Sequence, residues 1–428
     1  MDKILGKIKD LIEKETEEEV LRDIIATSCE KLSEISPENN EEQLLLICNF
    51  ISPNNVRVIS KLANIYYKKN DLVKSLSLAK KAVYLTNGES TTSLMNAAII
   101  ATDTDQRDFA KETFQKVLQL DPSNSRAKFG LGIESFKDKK YCDGWELYLQ
   151  RHAAFSTVDR ESKKTKLLDR WDGKSEGDVY FYNEQGYGDL IFSLRFWHHL
   201  DNKINNISFV LDKNISALFE STKYSKLINK KLKNPKYKCS VLDIPALFQD
   251  CNFNAEKYQS IFNQHRAKKR KKPKIGITFC GGSTYAADMR RSVHLCFFKE
   301  LITDPNYDFF IFQKEYKNSK FFDKSCTCKE YPTKLSDYKI TADCLLDMDA
   351  LITIDSSVAH LGGALGVPTF VLLEQVPDFR WYPYKNNIPW YNSWVPIRQA
   401  NRCDWPSAIK KLKKKLSKYF NQSLDQRM

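Results

Sequence analysis

The stretch Leu351-Ile-Thr-Ile-Asp-Ser-Ser-Val-Ala-His-Leu-Gly-Gly-Ala-Leu-Gly-Val-Pro-Thr-Phe-Val-Leu-Leu373 most narrowly limits the folds open to this chain. It reads as an apolar strand, a polar turn at Asp355-Ser356-Ser357, a helix ending near Gly366 and a second apolar strand from Pro368. Neither strand alternates apolar with polar residues, as expected when helices cover both faces of a parallel sheet. Asp355, Ser356 and Ser357 are good N-cap types. The amides of Ser357, Val358 and Ala359 then lack intrahelical acceptors and point at the carboxyl edge of the sheet. Such an edge binds phosphate through aligned amides and the helix dipole, in the crevice where doubly wound sheets hold ligands. A plain strand-helix-strand unit with a capped helix gives the same local pattern, so the rest of the chain has to decide.

A chain of 428 residues is too long for one modest core. With 42% hydrophobic residues and a mean hydropathy of −0.50 it reads as a globular protein with no run near 18 apolar residues, so no transmembrane helix is expected. The amino terminus lacks the apolar core of a signal peptide. The 11 cysteines are scattered; Cys326-Thr-Cys328 is the only close pair, and its spacing does not match a zinc knuckle. Reduced thiols in a cytoplasmic protein are therefore expected, and no metal ligand is assigned. The adjacent His198-His199 is expected at a helix end, exposed or compensating the dipole, and not as metal ligands.

The net charge of +13 is uneven, because residues 1–50 carry 6 Lys/Arg against 13 Asp/Glu. Two basic runs dominate the remainder, Arg266-Ala-Lys-Lys-Arg-Lys-Lys-Pro-Lys274 and Lys410-Lys-Leu-Lys-Lys-Lys-Leu-Ser-Lys418. Neither interleaves the aromatic residues on which single-stranded nucleic acid stacks, so no nucleic-acid partner is expected. The second run lies on a helix whose Ile409, Leu412, Leu416 and Tyr419 can dock on a core. It leaves peripheral membrane contact open through Lys410–Lys418.

From Asn55 the chain repeats. Ala63, Ala98 and Gly132 take equivalent places, 35 and 34 residues apart, and the second copy closes on Asp121-Pro122. That period, with small residues where helices approach, is the tetratricopeptide signature. Such stacks leave a groove for a peptide or protein, or else serve as a helical cap. Residues 1–50 are helical in pattern but match the repeat poorly.

Beyond a polar linker the period changes. Asp178-Val-Tyr-Phe-Tyr182 reads as a strand leading into Asn183-Glu-Gln-Gly-Tyr-Gly-Asp189, with Asp189 at a helix start beside a glycine turn. Further strands are expected at Ile207–Leu211 and Val241–Ile244. After the first basic run, Lys274–Phe279 and Phe309–Gln313 read as strands, and Thr341–Met348 as a helix. Strands alternating with helices twice over give two doubly wound domains in series. The domains expected are a helical repeat domain at 1–152, a linker at 153–174, α/β domains at 175–264 and 265–400, and a helix with a basic tail at 401–428.

Several segments in this order resemble bacterial tetratricopeptide proteins whose carboxy-terminal region is similar to the ADP-heptose:lipopolysaccharide heptosyltransferases, glycosyltransferase family nine. They are Asp143-Gly-Trp-Glu-Leu-Tyr148, Arg170-Trp-Asp-Gly173, Glu184-Gln-Gly-Tyr-Gly-Asp189, Arg290-Arg-Ser292, Thr341-Ala-Asp343, Ile354 to Gly366, Val376-Pro-Asp-Phe-Arg-Trp381 and Pro389-Trp-Tyr391. The resemblance implies two Rossmann-like domains in the GT-B arrangement, a nucleotide-diphosphate sugar as donor substrate, a protein or glycan acceptor and no required metal or other cofactor. It implies Asp189 as general base. It places Gln185, Gly186, Gly188, Gly281, Gly282, Arg291, Asp355, Ser356, Ser357, Val358, His360, Gln375 and Asp378 around the donor. Two segments depart from the family: Gly281–Met289 is poor in the usual Asn and Arg, and Glu374-Gln375 replaces a less polar pair. The alternative expectation is a non-catalytic repeat scaffold carrying a degenerate transferase region.

Overall fold

The computed structural model describes residues 38–155, 165, 167–250, 261–262, 270–281, 288–314, 316–326, 328–331, 333–382 and 388–425. The poorly repeating residues 1–37, the first four residues of the first basic run and Gly282 lie outside them. The chain divides into two compact units, residues 1–134 and 135–428.

The first unit is helical: α1 (Glu38–Ile51), α2 (Val56–Lys68), α3 (Leu72–Leu85), α4 (Thr91–Asp103), α5 (Arg107–Leu120) and the start of α6 (Ser125–Lys137). Side-chain caps define where helices begin. Asn55 accepts from the amides of Arg57 and Val58, Asp71 from Lys74, and Ser90 from Ser93. Asn70, Asn87 and Asp105 turn the chain between helices in the left-handed region that short polar residues tolerate. Close packing falls where the repeat put small residues, with Ala63, Ala97, Ala98 and Ala101 fully buried. A Cβ at Gly130 would lie 2.3 Å from the Phe114 ring.

Among its described residues the second unit holds the helix α7 (Tyr141–Tyr148) and two sheets in which every strand pair is parallel. The first sheet contains β1 (Asp169–Arg170), β2 (Asp178–Tyr182), β3 (Ile207–Val210) and β4 (Pro235–Ser240) in the order β1-β4-β2-β3. The second contains β5 (Lys274–Ile277), β6 (Asp308–Ile311), β7 (Lys329–Glu330), β8 (Ala350–Ile354), β9 (Thr369–Leu373) and β10 (Trp394–Arg398) in the order β10-β9-β8-β5-β6-β7. The chain winds one way from β5 and the other way from β8, so the order reverses between these neighbours, whose register pairs Ile275 with Ala350. All five residues of β8 and all five of β9 are buried, which accounts for their unbroken apolar sequence.

Three expectations need correction. Cys142, expected as a reduced thiol, is disulfide-bonded. The strand expected at 241–244 lies instead at Pro235–Ser240, and 241–244 forms the turn and helix start after it. Its lysines hid it: Lys236 and Lys238 stay at least partly solvent-accessible while Cys239 and Ser240 are buried. The polar stretch taken for linker also contains the edge strand β1, which pairs with Tyr237 and Lys238, and Trp171 beside it is buried against Phe181. The closing helix α11 (Trp405–Asp425) packs Ala408, Ile409, Leu412, Leu416 and Phe420 into the core of the second sheet. Among its lysines, Lys413 pairs with Glu300 at 2.5 Å, and Lys411 and Lys415 donate to the carbonyls of Arg398 and Pro396. Among the described residues no helix is long and apolar enough to cross a membrane.

Candidate functional site

A cleft of about 780 Å³ opens where the carboxyl ends of β2, β5, β6 and β8 meet. One wall is the turn after β2. The Asn183 side chain donates to the carbonyls of Gln185 and Gly186, fixing the turn. The Gly186 amide donates to Asp189 Oδ2 at 2.9 Å, so Asp189 caps the helix α8 (Tyr187–Ser193) in which it stands. Gln185 exchanges a hydrogen bond with the Tyr148 hydroxyl.

The opposite wall is the start of the helix α10 (Ser357–Ala364), with Ser356 as its extended N-cap residue. Ser357 and Val358 occupy positions whose amides have no intrahelical acceptor, whereas the Ala359 amide, expected to lack one too, donates to the Ser356 carbonyl at 3.0 Å. The two walls nearly touch: a Cβ at Gly188 would lie 3.0 Å from His360 Cδ2 and 3.2 Å from the Ser357 Cα. Only glycine at 188 lets these backbones approach so closely.

Arg291 enters from the segment after β5. Its Nη1 donates to the Asp355 carbonyl at 3.0 Å and its Nε to Asp288 at 3.1 Å. Ser292 donates to Asp288 and accepts from the Gly281 amide. This closes the loop ends so tightly that a Cβ at Gly281 would fall 2.0 Å from Asp288 Oδ1.

Charge in the cleft is layered. Arg380 Nη2 donates to Asp189 Oδ1 at 2.5 Å and Arg380 Nη1 to Asp378 Oδ1 at 2.8 Å. Burial opposes the guanidinium charge, but Asp378 and Asp189 outweigh it and raise its pKa. Arg380 Nε is buried without a hydrogen-bond partner. Asp355 is pushed up to about 6 by burial and then by the negative charge of Asp378. Burial, with Arg380 and Arg195 nearby, holds the His360 imidazole well below its ordinary value, and so neutral near pH 7.

Of the residues singled out in the sequence, Gln185, Gly186, Gly188, Asp189, Gly281, Arg291, Asp355, Ser356, Ser357, Val358, His360 and Asp378 all line this cleft. Gln375 is the correction. It is not among the lining residues and donates weakly to the Ala400 carbonyl at 3.4 Å, because the chain after β9 turns toward the end of β10. Residues missed from the sequence include Tyr338, whose hydroxyl donates to Ser357 Oγ at 2.5 Å, and Gln313, whose side-chain oxygen accepts from the amides of Phe279 and Cys280. Asp337, an N-cap type just before the helix α9 (Tyr338–Leu345), was the available signal for the first. The position of Gln313 just past β6 was the signal for the second.

Behind the β2 turn lies a buried charge cluster. Arg151 donates through Nε to Glu184 at 2.7 Å and through Nη2 to Asp243 at 2.5 Å, and His152 Nε2 lies 2.9 Å from Asp243. Burial alone would raise Asp243, yet Arg151 and His152 hold it below the usual carboxylate range.

No protein-family model matches the chain, and no curated protein matches it. Solved structures align with about a third of it. A crystal structure of MamA protein shares 16% identity over 32% of this chain and 72% of its own, with a TM-score of 0.27. A Pseudomonas aeruginosa pilF structure shares 14% identity over 31% of this chain and 61% of its own, with a TM-score of 0.28. YrrB, described as a TPR protein with an unusual peptide-binding site, shares 12% over 35% and 76%, also at 0.28. Likenesses this low carry no weight for function. The description of an amino-terminal helical repeat followed by parallel α/β sheets stands on the chain's own geometry.

Proposed function

We propose that the chain is an inverting glycosyltransferase that moves a sugar from a nucleotide-diphosphate donor to a hydroxyl group of a protein or glycan acceptor. The two sheets are read as Rossmann-like domains of a GT-B arrangement, the second having the doubly wound strand order with its reversal beside the cleft. The observation that carries the reading is the opposition of Asp189 and the Ser357 helix start within one cleft. Transfer forms a bond from the acceptor oxygen to the anomeric carbon and breaks the bond from that carbon to the diphosphate. The acceptor proton passes to Asp189, and the nucleoside diphosphate leaves with the bonding electrons. Positive charge grows on the sugar ring, as in glycoside hydrolysis. The developing negative charge on the leaving group suits the α10 amides and Arg291. The helical repeats are the proposed recruiter of the acceptor.

Asp189→Asn tests this. General-base loss should lower turnover by about 10²–10⁴-fold while nucleoside-diphosphate binding persists; undiminished turnover sinks the base assignment. A second reading, a non-catalytic scaffold, draws on one feature: both Asp189 oxygens already have partners, the Gly186 amide and Arg380. Thermal stabilisation by a panel of nucleoside diphosphates and their sugars separates the two, since a scaffold responds to none.

A further inference from the structure

Away from the cleft, three donor side chains converge. His198 and His199 lie on the 3-10 stretch Leu194–Asn206, with ring centroids 4.0 Å apart. Asp250 reaches them from a turn fixed by its own amide, which donates to the Pro245 carbonyl at 2.9 Å. Asp250 Oδ2 is 2.7 Å from His199 Nε2 and 3.9 Å from His198 Nε2. One donor atom from each residue lies within 4.8 Å of the other two.

Two contacts aim these donors. His198 Nδ1 sits 2.8 Å from the Arg195 carbonyl oxygen. That oxygen only accepts, so Nδ1 carries the proton and Nε2 of the neutral ring carries the lone pair. Histidines that ligate metals are oriented in the same way by a carbonyl at the second nitrogen. The His199 ring is stacked on Phe248, at 5.0 Å and 7° between planes. The side chains are 35%, 24% and 12% exposed for His198, His199 and Asp250, so an ion can reach a site whose walls are held.

We propose that His198, His199 and Asp250 bind a divalent cation of the zinc class through two imidazole nitrogens and one carboxylate oxygen, with water in the fourth position. Bonds of about 2.0–2.2 Å in a tetrahedron place neighbouring donors about 3.4 Å apart. The observed 2.7 and 3.9 Å separations from Asp250 Oδ2 bracket that edge, so shifts of about 0.5–0.7 Å bring these two contacts to it. Two imidazoles favour zinc, cobalt or nickel over calcium and magnesium, which take oxygen ligands. The proposal is independent of the transferase reading.

The test titrates the full-length chain with Zn²⁺ alone by calorimetry and with Co²⁺ by visible absorption. One nitrogen–oxygen Co²⁺ site is expected, without the intense near-ultraviolet band of a cobalt thiolate. Zinc affinity should fall by more than about tenfold in both His198→Asn and Asp250→Asn. It should be unchanged in Cys296→Ser, which disables the separate cluster of His294, Cys296 and Asp323. Asp250→Asn keeps a hydrogen-bond acceptor for His199, and its metal-free melting temperature confirms the fold; should His198→Asn unfold, Asp250→Asn decides alone. Undiminished zinc affinity in Asp250→Asn, loss of it in Cys296→Ser, or no binding by the parent chain at 100-fold excess of metal overturns the proposal.

Discussion

Arg380 reaches 191 residues back along the chain to hold Asp189 Oδ1 at 2.5 Å, while its other terminal nitrogen holds Asp378. One guanidinium therefore joins the turn after β2 to the segment after β9. With Arg380 and Asp189 only 10% and 19% exposed, removing the cation leaves carboxylates with little water to replace it. Arg380→Ala should destabilise the second unit by about 3 kcal/mol and abolish transfer. Arg380→Lys, a point charge that cannot bridge two carboxylates in a fork, should recover part of the stability and little of the activity. Thermal melts and a transfer assay read the two effects separately.

The approach of Gly188 to Ser357 makes a second prediction. Gly188→Ala puts a methyl group 3.2 Å from a backbone Cα that cannot rotate away. Overpacking of this kind costs about 1–2 kcal/mol, and it spreads the two cleft walls. Nucleoside-diphosphate affinity should drop by about tenfold, or 1.4 kcal/mol. In Gly186→Ala the nearest atom is the side-chain oxygen of Asp189, which can shift, so a smaller loss is expected. Titration calorimetry on both variants checks the order.

Asp355 sets a pH dependence. Its carboxyl is raised to about 6 from the ordinary 3.8, so between those values the folded protein binds more protons at this site than the unfolded chain. Stability from this group is thus greatest below about pH 4 and falls as pH rises through about 6. Asp355→Asn should flatten the melting temperature between pH 4 and 7. It should also tighten nucleoside-diphosphate binding above pH 6, where the native carboxylate repels the anion. An identical pH profile in the variant would count against the assignment.

The buried cluster behind the cleft works in the opposite sense. Asp243 is held low by Arg151, so its contribution is present above the usual carboxylate range and is lost as pH falls. Arg151→Met strands Glu184 and Asp243, both at most 9% exposed. A loss of about 3–5 kcal/mol, deepest near neutral pH, is expected in chemical denaturation.

Much of this was legible from local pattern. The helical repeat showed in small residues at a period near 34, because helices must approach closely at fixed intervals. β8 and β9 showed as unbroken apolar runs, and the turns at 186–189 and 355–357 showed as glycine and N-cap residues at strand ends. β4 did not show, since lysines alternate through it, and Gln375 misled because its place depends on how the chain leaves β9.

The sequence by itself indicated the helical repeat, the strands β8 and β9 covered on both faces, and the helix starts at 186–189 and 355–357. Each of these depends on neighbours a few residues apart. Only the tertiary structure decided that Asp189 faces Ser357, that Arg380 neutralises Asp189 and Asp378 together, and that Asp250 meets His198 and His199. Those meetings follow from strand order and from how the chain leaves each strand, which bring together side chains whose separation along the chain carries no periodic signal.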